Sequence, residues 1–528
     1  MSNDTQVIIV GGGPVGVGLA VELGLRGVSC IVVERRTAMH NIPKGQNLTA
    51  RTLEHFFSWG IIDEIRAARV MPAGYPESGI TAYGNLRSEY WYAPPMREIL
   101  NPYYFQKNDR LPQYEMEKVL RAKAGIIPGV DLRLGWVGEG VADHGDGVTL
   151  AMTEESSGRR IELTADYLVG CDGAHSTVRD QIGIRRSGDD YDQLMVLAVF
   201  RSKEFHDGLA RYPERSTYRV MKPELNGYWQ FFGRIDVGEG FFFHAPVPAD
   251  TTRENYDFLG LLHDAAGFEF DAAFDYLGFW DLRVLVAEEY RKGRIFIAGD
   301  AAHSHPPYGG FGLNNGLEDV RNLGWKLAAR LEGWGGEILL DSYGLERQPV
   351  FRDIGETLIG GRIRDDAAFF GEFNPEKDRA AFEEAWEKES GRAGGFIRRY
   401  EPSYGGSPIV AAPEGAITTA VGEHSFAARA GHHLAPRGLS TGSSVYDELG
   451  GGFTLIALDA SDDEIRAFTH AASEMLLPLS IVRDTAADER ADYGRRFILV
   501  RPDHFIAWCA DELPDDARAL FRSVTGAP

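Results

Sequence analysis

Cysteine is scarce in this chain: three in 528 residues, Cys30, Cys171 and Cys509, at spacings that suit neither a disulfide framework nor a metal site. They read as structural thiols and point to a reducing, cytoplasmic setting. Positive charge is also short. With 55 Lys and Arg against 78 Asp and Glu, the formal net charge is -23. That balance excludes a nucleic-acid surface or a patch for anionic membranes, because phosphate recognition needs clustered Lys and Arg. Small molecules and other protein subunits remain as partners, and a homodimer or higher homo-oligomer is expected. No apolar run is long enough to cross a bilayer, and the N-terminus enters a strand almost at once, so no signal peptide is expected. Internal repeats and low-complexity tracts are not evident, and no His, Cys or carboxylate cluster suits a metal. The length suffices for several domains and a large core.

Glycine, by contrast, is abundant and placed with a pattern. The apolar run Val7-Ile8-Ile9-Val10 leads straight into Gly11-Gly12-Gly13-Pro14-Val15-Gly16, and residues 15–25 read as a helix. Strand, tight turn and helix in that order are the context in which such a turn holds a nucleotide. Gly11 allows the turn, Gly13 lets backbone amides approach a pyrophosphate, Gly16 lets the helix pack on the sheet, and Pro14 opens the helix. Glu34 ends the next apolar strand, Ser29-Cys30-Ile31-Val32-Val33, at about the twenty-residue spacing of a carboxylate that binds a ribose hydroxyl. Arg35 follows it. The turn and Glu34 together define a dinucleotide site but leave FAD and nicotinamide both open.

Two further segments decide. Asp166-Tyr167-Leu168-Val169-Gly170-Cys171-Asp172-Gly173-Ala174-His175-Ser176 resembles the second fingerprint of class A flavoprotein aromatic hydroxylases, and Arg294-Ile295-Phe296-Ile297-Ala298-Gly299-Asp300-Ala301-Ala302-His303 resembles their third. The match runs on through Pro306-Pro307-Tyr308-Gly309-Gly310-Phe311-Gly312-Leu313-Asn314-Asn315-Gly316. The resemblance implies FAD as cofactor and NADH or NADPH as co-substrate, with nicotinamide docking transiently beside Asp172 and Gly173. It also implies a flavin C4a-hydroperoxide that hydroxylates a phenolic or related aromatic ring. Carried over residue by residue, Asp300 and Gly299 hold the ribityl or ribose part. Pro307, Gly310, Gly312, Leu313 and Asn314 line the ring, and Gln113 contacts FAD. The segment Pro43-Lys44-Gly45-Gln46-Asn47-Leu48-Thr49-Ala50-Arg51 touches both pyrophosphate and ring. Lys44 stands where relatives usually carry arginine, which keeps the charge but loses the bidentate fork. Arg51 either supplies a planar contact or merely opens a surface helix.

The physical reading of the proline-glycine loop agrees with the resemblance. Pro306 and Pro307 make a rigid wall, and the glycines after them let main chain lie close to a planar ring. Helix spacing of Leu317, Val320, Leu323 and Leu327 buries one face, so the amide-rich N-terminus points back at the loop, where negative charge on a reduced flavin would be stabilised.

The expected architecture is α/β: a Rossmann-like FAD-binding domain, an inserted mixed β-sheet substrate domain and a thioredoxin-like C-terminal domain. The boundaries are 1–183 for the first part of the FAD-binding domain and 184–285 for the sheet. Residues 286–400 are the return to FAD with its helices, 401–440 a linker, and 441–528 the tail. The inserted sheet is read from Tyr228-Trp229-Gln230-Phe231-Phe232 and Gly240-Phe241-Phe242-Phe243-His244, among other runs that alternate aromatic and polar residues. Helices are expected over 339–360 and 375–390. The tail carries a capping box at Ser461 and Glu464 and resembles the C-terminal domain of phenol-hydroxylase-type members, but has no Cys-x-x-C for thiol chemistry.

One departure from the family bears on mechanism. Several phenol hydroxylases carry an aspartate shortly after the Lys44 position, where it helps to deprotonate the substrate, and Gln46 or Asn47 stands there in this chain. Neither amide is a base, whereas a phenol of pKa about 10 needs assistance at neutral pH. His244 and His305 are the candidate bases, with Arg234, Tyr228 and Tyr308 as orienting groups and Pro307 at the reacting face. A structural role for each histidine stands beside the catalytic one. A halogenase, an epoxidase and a non-catalytic FAD-fold scaffold share the fingerprints and stand as alternatives.

Overall fold

The computed structural model describes residues 3–94, 97–307, 309–392 and 395–528. Its centre is a six-stranded sheet in the order Arg291–Lys292, Ile295–Ile297, Tyr167–Gly170, Val7–Val10, Cys30–Glu34, Val130–Leu134. All neighbours are parallel except the first pair. A parallel sheet is covered on both faces, so its strands must be apolar throughout. Val7–Val10, Tyr167–Gly170 and Ile295–Ile297 are buried at every position. The register pairs Val7 with both Tyr167 and Cys30, and Leu168 with Ile295. The carboxyl ends of four strands therefore lie side by side, and all three glycine-centred segments leave the sheet along one edge.

Helix Pro14–Leu25 packs beneath the long helix Phe311–Glu332. Proline at the first helical position needs no amide partner, and Gly18 lets Leu317, Val320 and Trp59 approach. The second large sheet has eight strands: His303–Ser304, Ala273–Ala287, Arg186–Arg201, Gly240–Val247, Gln230–Arg234, Thr217–Met221, Gly79–Tyr83, Trp91–Tyr92. It is wider than the expected insertion. Strand Gly79–Tyr83, from upstream of the second fingerprint, joins Thr217–Met221 in parallel, a pairing between distant segments that no local pattern announces. One sheet face closes on a core that includes Phe200, Phe205, Phe232, Phe241 and Phe243. The other face looks back at the nucleotide-binding edge.

Downstream, the segment expected as one helix over 339–360 is helix Glu337–Asp353, a π-helical turn Ile354–Ile359 and helix Gly360–Glu372. The helix expected over 375–390 is Arg379–Arg392. It starts late because Asn374 bonds the Glu376 amide in a turn and Asp378 accepts from the Ala381 amide. The stretch expected as linker, 401–440, is ordered by pairing. Tyr400–Tyr404 and Thr418–Val421 form a two-stranded sheet, Ile409 is fully buried, and Ser407 donates to Glu346. In the tail, Phe453–Leu458 and Leu479–Asp484 are parallel around helix Asp462–Glu474. Phe497–Val500 and Ile506–Ala510 add antiparallel strands, and helix Ala517–Thr525 closes the unit. Both bonds of the Ser461–Glu464 capping box form.

The tail is tied to the long helix by buried charge. Glu346 accepts from Lys326 (2.7 Å), Asn322 (2.6 Å) and both terminal nitrogens of Arg501 (2.7 and 2.8 Å), and Arg501 also reaches Asp503. Burial opposes the charged form, but Arg501 and Lys326 outweigh it and hold the Glu346 carboxyl well below its ordinary 4.5. Glu318 is lowered likewise, against burial, by Arg51 and His55. Glu346→Ala leaves Lys326 buried without its counter-ion and strips Arg501 of one of its two carboxylates, and is expected to cost about 3–5 kcal/mol of stability in urea denaturation at neutral pH. Since both folded-state pKa values lie below the unfolded ones, their contribution is full above 4.5 and is lost as pH falls. The urea midpoint is expected to drop with acidification in that range, and to drop less steeply in Glu346→Gln.

Candidate functional site

The first turn is built by steric exclusion. Gly11 has φ +107, and a Cβ there would strike the carbonyl of Cys171, so the first and second fingerprints are in direct contact. A Cβ on Gly16 would strike the Gly11 carbonyl. At Gly13 nothing lies within 4 Å of the corresponding point, and this open side faces outward from the N-terminus of helix Pro14–Leu25. Glu34 folds back on the turn: the Gly12 amide donates to its Oε2 (2.7 Å) and the Arg36 amide to its Oε1 (2.8 Å). Arg35 is exposed beside it. Sequence reasoning missed Arg121. It lies on helix Gln113–Ala124, eight residues and about two turns beyond Gln113, and donates to the Gly12 carbonyl (2.9 Å), which puts a cation at the turn.

The second and third fingerprints are locked together. Asp172 accepts from Ser176 Oγ (2.5 Å) and the Val178 amide (3.1 Å), and Gly173 takes φ +85. Arg179 donates to the carbonyls of Ala174 (3.2 Å) and Ala301 (3.1 Å). Gly299 takes φ +61 and donates its amide to Asp319 (3.0 Å), and Asp300 beside it is exposed. Val15, the second residue of helix Pro14–Leu25, lies 3.0 Å from the Cβ position of Gly299, so Asp300 and the first turn share one edge of the sheet.

Against the eight-stranded sheet lies a cavity of about 320 Å³. Its walls are the 43–47 segment, the 307–310 loop without Tyr308, which lies outside the described residues, and the sheet face carrying Thr217, Arg219, Phe231, Phe242 and His244. Gly309 and Gly310 both take positive φ, +67 and +70, so the loop presents bare main chain. The 44–47 loop lies against it. Leu313 is 3.5 Å from the Gly45 Cβ position, and the Gln113 amide donates to the Gly45 carbonyl (2.9 Å). Lys44 is exposed at the rim. Gln46 accepts from Arg110 (2.9 Å), but its Nε2, like Asn47 Nδ2, is buried with no hydrogen-bond partner. Two unspent amide donors across from the main chain of Gly309 and Gly310 suit a flat ring rich in carbonyl and ring-nitrogen acceptors, which is what an isoalloxazine offers.

Several expected site residues lie elsewhere. Asn314 gives all four of its hydrogen-bonding positions to protein: it accepts from Thr49 and Thr52 and donates to the carbonyls of Asn47 and Gly310. It knots the two loops together and has nothing left for a cofactor. Arg51 is engaged by Glu54, Glu318 and the Asp503 carbonyl, on the side of the tail. Arg234 points to the opposite sheet face, where it donates to His206 (2.9 Å) and the Arg215 carbonyl (3.2 Å), because strand side chains alternate. Tyr228 packs in the aromatic cluster around Tyr92 and Trp229 and does not line the cavity. His305 stacks on Phe351 at 5.1 Å behind the loop, next to Gly312, and also lies off the cavity. His244 does line it. Burial alone pushes the His244 imidazole down to about 4.

The three converging turns, the open helix N-terminus and the ring-shaped slot define a flavin-binding oxygenase fold. Residues 4–357 match the family described as FAD binding domain, and 427–528 match the family described as aromatic-ring hydroxylase, C-terminal. The chain belongs to the class A flavoprotein aromatic hydroxylases: it is an FAD-dependent aromatic monooxygenase with NAD(P)H as co-substrate. It is 32% identical over 553 residues to a 4-methyl-5-nitrocatechol 5-monooxygenase of Burkholderia sp, across 98% of this chain and 96% of the relative. It is 27% identical to a tetracenomycin A2 monooxygenase-dioxygenase of Streptomyces glaucescens, across 99% and 96%. Among solved structures, the rebeccamycin biosynthetic enzyme RebC with reduced flavin superposes with TM-score 0.85 at 28% identity, covering 99% of each chain.

The glycines give a test that separates folding from binding. Gly13→Ala meets no protein atom and is expected to leave the melting temperature unchanged while weakening FAD at least about tenfold in a fluorescence titration. Gly11→Ala, at positive φ and against Cys171, is expected to lower both.

Proposed function

We propose that this enzyme hydroxylates a small phenolic ring, of one or two rings, with NAD(P)H and O2. The observation that carries the reading is a cavity of about 320 Å³ with the 43–47 segment, Pro307, Gly309 and Gly310 on one side and an aromatic sheet face on the other. A flavin ring and a substrate must share that space, which favours a compact phenol over a large polyketide. The name of the Burkholderia relative, a nitrocatechol monooxygenase, supports the same class.

We assign the pyrophosphate to the open side of Gly11 and Gly13, at the N-terminus opened by Pro14, with Arg121 as its counter-charge. Gly16 contributes only the close approach of the helix. Glu34 takes the adenosine ribose, with Arg35 at the outer edge, and Asp300, beside Gly299, takes the ribityl chain. Asp172 and Gly173 shape the adjacent groove, which serves nicotinamide. Lys44, Gln46, Asn47 and Gln113 lie on one side of the ring, and Pro307, Gly310, Gly312 and Leu313 on the other. Bound FAD supplies hydride acceptance from NAD(P)H and transfer of one atom of O2 to the substrate. The protein's part is to orient two rings against each other and to keep water out, which Phe231, Phe242 and Trp229 do as the floor. We assign 441–528 as a thioredoxin-like unit on its parallel β-α-β, antiparallel pair and closing helix, with a packing role. The three unpaired cysteines support a cytoplasmic location.

Purified protein is expected to be yellow, and with NAD(P)H, a substituted phenol and ¹⁸O2 to yield a product that carries one labelled oxygen atom by mass spectrometry. Colourless protein that releases no flavin on denaturation, or a halogenated product, overturns the proposal.

A further inference from the structure

This inference rests on the hydroxylase reading above and concerns the proton on the substrate's ring hydroxyl. Strand Gly240–Val247 alternates: Phe241, Phe243 and Ala245 join the core beneath the sheet, while Phe242 and His244 face the cavity. His244 is 5% exposed. Its ring is held edge-on by Trp229, Phe242 and Trp280 at centroid distances of 6.4, 5.7 and 5.9 Å, and its Nδ1 has no hydrogen-bond partner. Of the described histidines with a buried, unpartnered ring nitrogen, His55, His244 and His305, only His244 lines the cavity, where a ligand can supply the missing partner. The register sets Arg219, Phe231 and His244 in one row, two strand spacings or about 10 Å from end to end. A ring lying on Phe231 spans that row. The other charged groups at the cavity are Lys44, Glu77, Arg110 and Arg362, on other elements, and Arg219 itself is near Asp366 (3.8 Å).

We propose that His244 is the catalytic residue that takes the proton from the substrate's ring hydroxyl. In this step the O–H bond breaks with its electron pair left on the ring oxygen, and an N–H bond forms on the imidazole. Nothing is oxidised or reduced, and the proton returns to that oxygen when the product hydroxyl re-forms. Burial keeps the imidazole neutral and able to accept, yet makes it a weak base. Transfer from an ordinary phenol of pKa about 10 is therefore steeply uphill, and transfer from an acidified one is closer to balance. The resulting imidazolium–phenolate pair is stabilised by the same low dielectric that disfavoured the lone cation.

The probe is 4-nitrophenol, whose acid and anion differ in colour, added to the FAD-loaded protein about one unit below the ligand's own pKa. Difference spectra are expected to show the bound anion, while an indicator dye in weakly buffered solution records no net proton release. Bound neutral phenol, or one proton released per ligand, overturns the proposal in the wild-type protein alone. In His244→Gln the ionisation constant of the bound ligand is expected to fall at least about tenfold, and turnover about 100-fold or more. Unchanged ligand ionisation in FAD-loaded His244→Gln overturns the histidine assignment and leaves the hydroxylase reading standing. Wild-type protein that takes up no FAD overturns that reading instead.

Discussion

The carboxylate of Asp319 is fully buried, and each of its oxygens must find donors in a medium that penalises bare charge. Oδ1 takes Arg347 (2.8 Å), and Oδ2 takes His303 (2.6 Å) and the Gly299 amide (3.0 Å). His303 and Arg347, against the opposing effect of burial, hold the acid ionised. This one group fixes the turn that carries Asp300 to the long helix whose N-terminus carries the 307–310 loop. Because a Cβ at Gly299 or Gly316 would meet Val15, the same helix can sit close enough to bring the first turn into register with the third. The site follows from that closeness.

The far side of the long helix is held by further charged contacts, in which Arg501, Pro502 and Asp503 come from the tail. Arg347 reaches Tyr404 and Asn315, and Glu346, its neighbour in sequence, gathers Lys326 and Arg501. Asp503 takes the Trp325 indole N–H (3.0 Å), and the carbonyls of Pro502 and Asp503 receive Arg321 and Arg51. Buried ion pairs add little net stability over a hydrophobic equivalent, but they penalise any shift of register heavily, since a displaced partner leaves a bare charge. A helix that must present a backbone loop to a flat ring gains more from fixed register than from a few extra kilocalories. That is a physical reason for the tail to be part of the enzyme without touching its cavity.

The nucleotide edge was legible in the sequence because its requirements are local. Gly11, Gly16 and Gly299 stand where no side chain fits, and the apolar runs before them are too continuous for anything but buried parallel strands. Arg121 was not legible, because a cation on an ordinary amphipathic helix acquires meaning only from the turn it faces. Arg51 and Asn314 sit inside recognisable motifs, yet the tail claims one and the neighbouring loop saturates the other. The 401–440 stretch, rich in glycine and proline, hid a pair of strands, Tyr400–Tyr404 with Thr418–Val421, that packs on helix Glu337–Asp353. The parallel pairing of strand Gly79–Tyr83 was equally silent, since Thr217–Met221 is remote in the chain.

The substrate sheet shows how far alternation goes and where it stops. Phe231 and Arg234 are three residues apart on one strand, so they cannot share a face; the same parity puts Phe242 with His244 and against Phe243. The sequence contained that division, but both faces carry phenylalanine, and nothing in the strands themselves says which face is the cavity. The distinction came from what each face meets. The Phe243 side meets Phe200, Phe205 and helix Phe258–Ala266 and is sealed by them, whereas the His244 side meets loops whose glycines and saturated Asn314 leave an opening. A polar residue on the sealed face, such as Arg234, had to find protein partners to be tolerated, and it has them. His244, on the open face, leaves its Nδ1 without one.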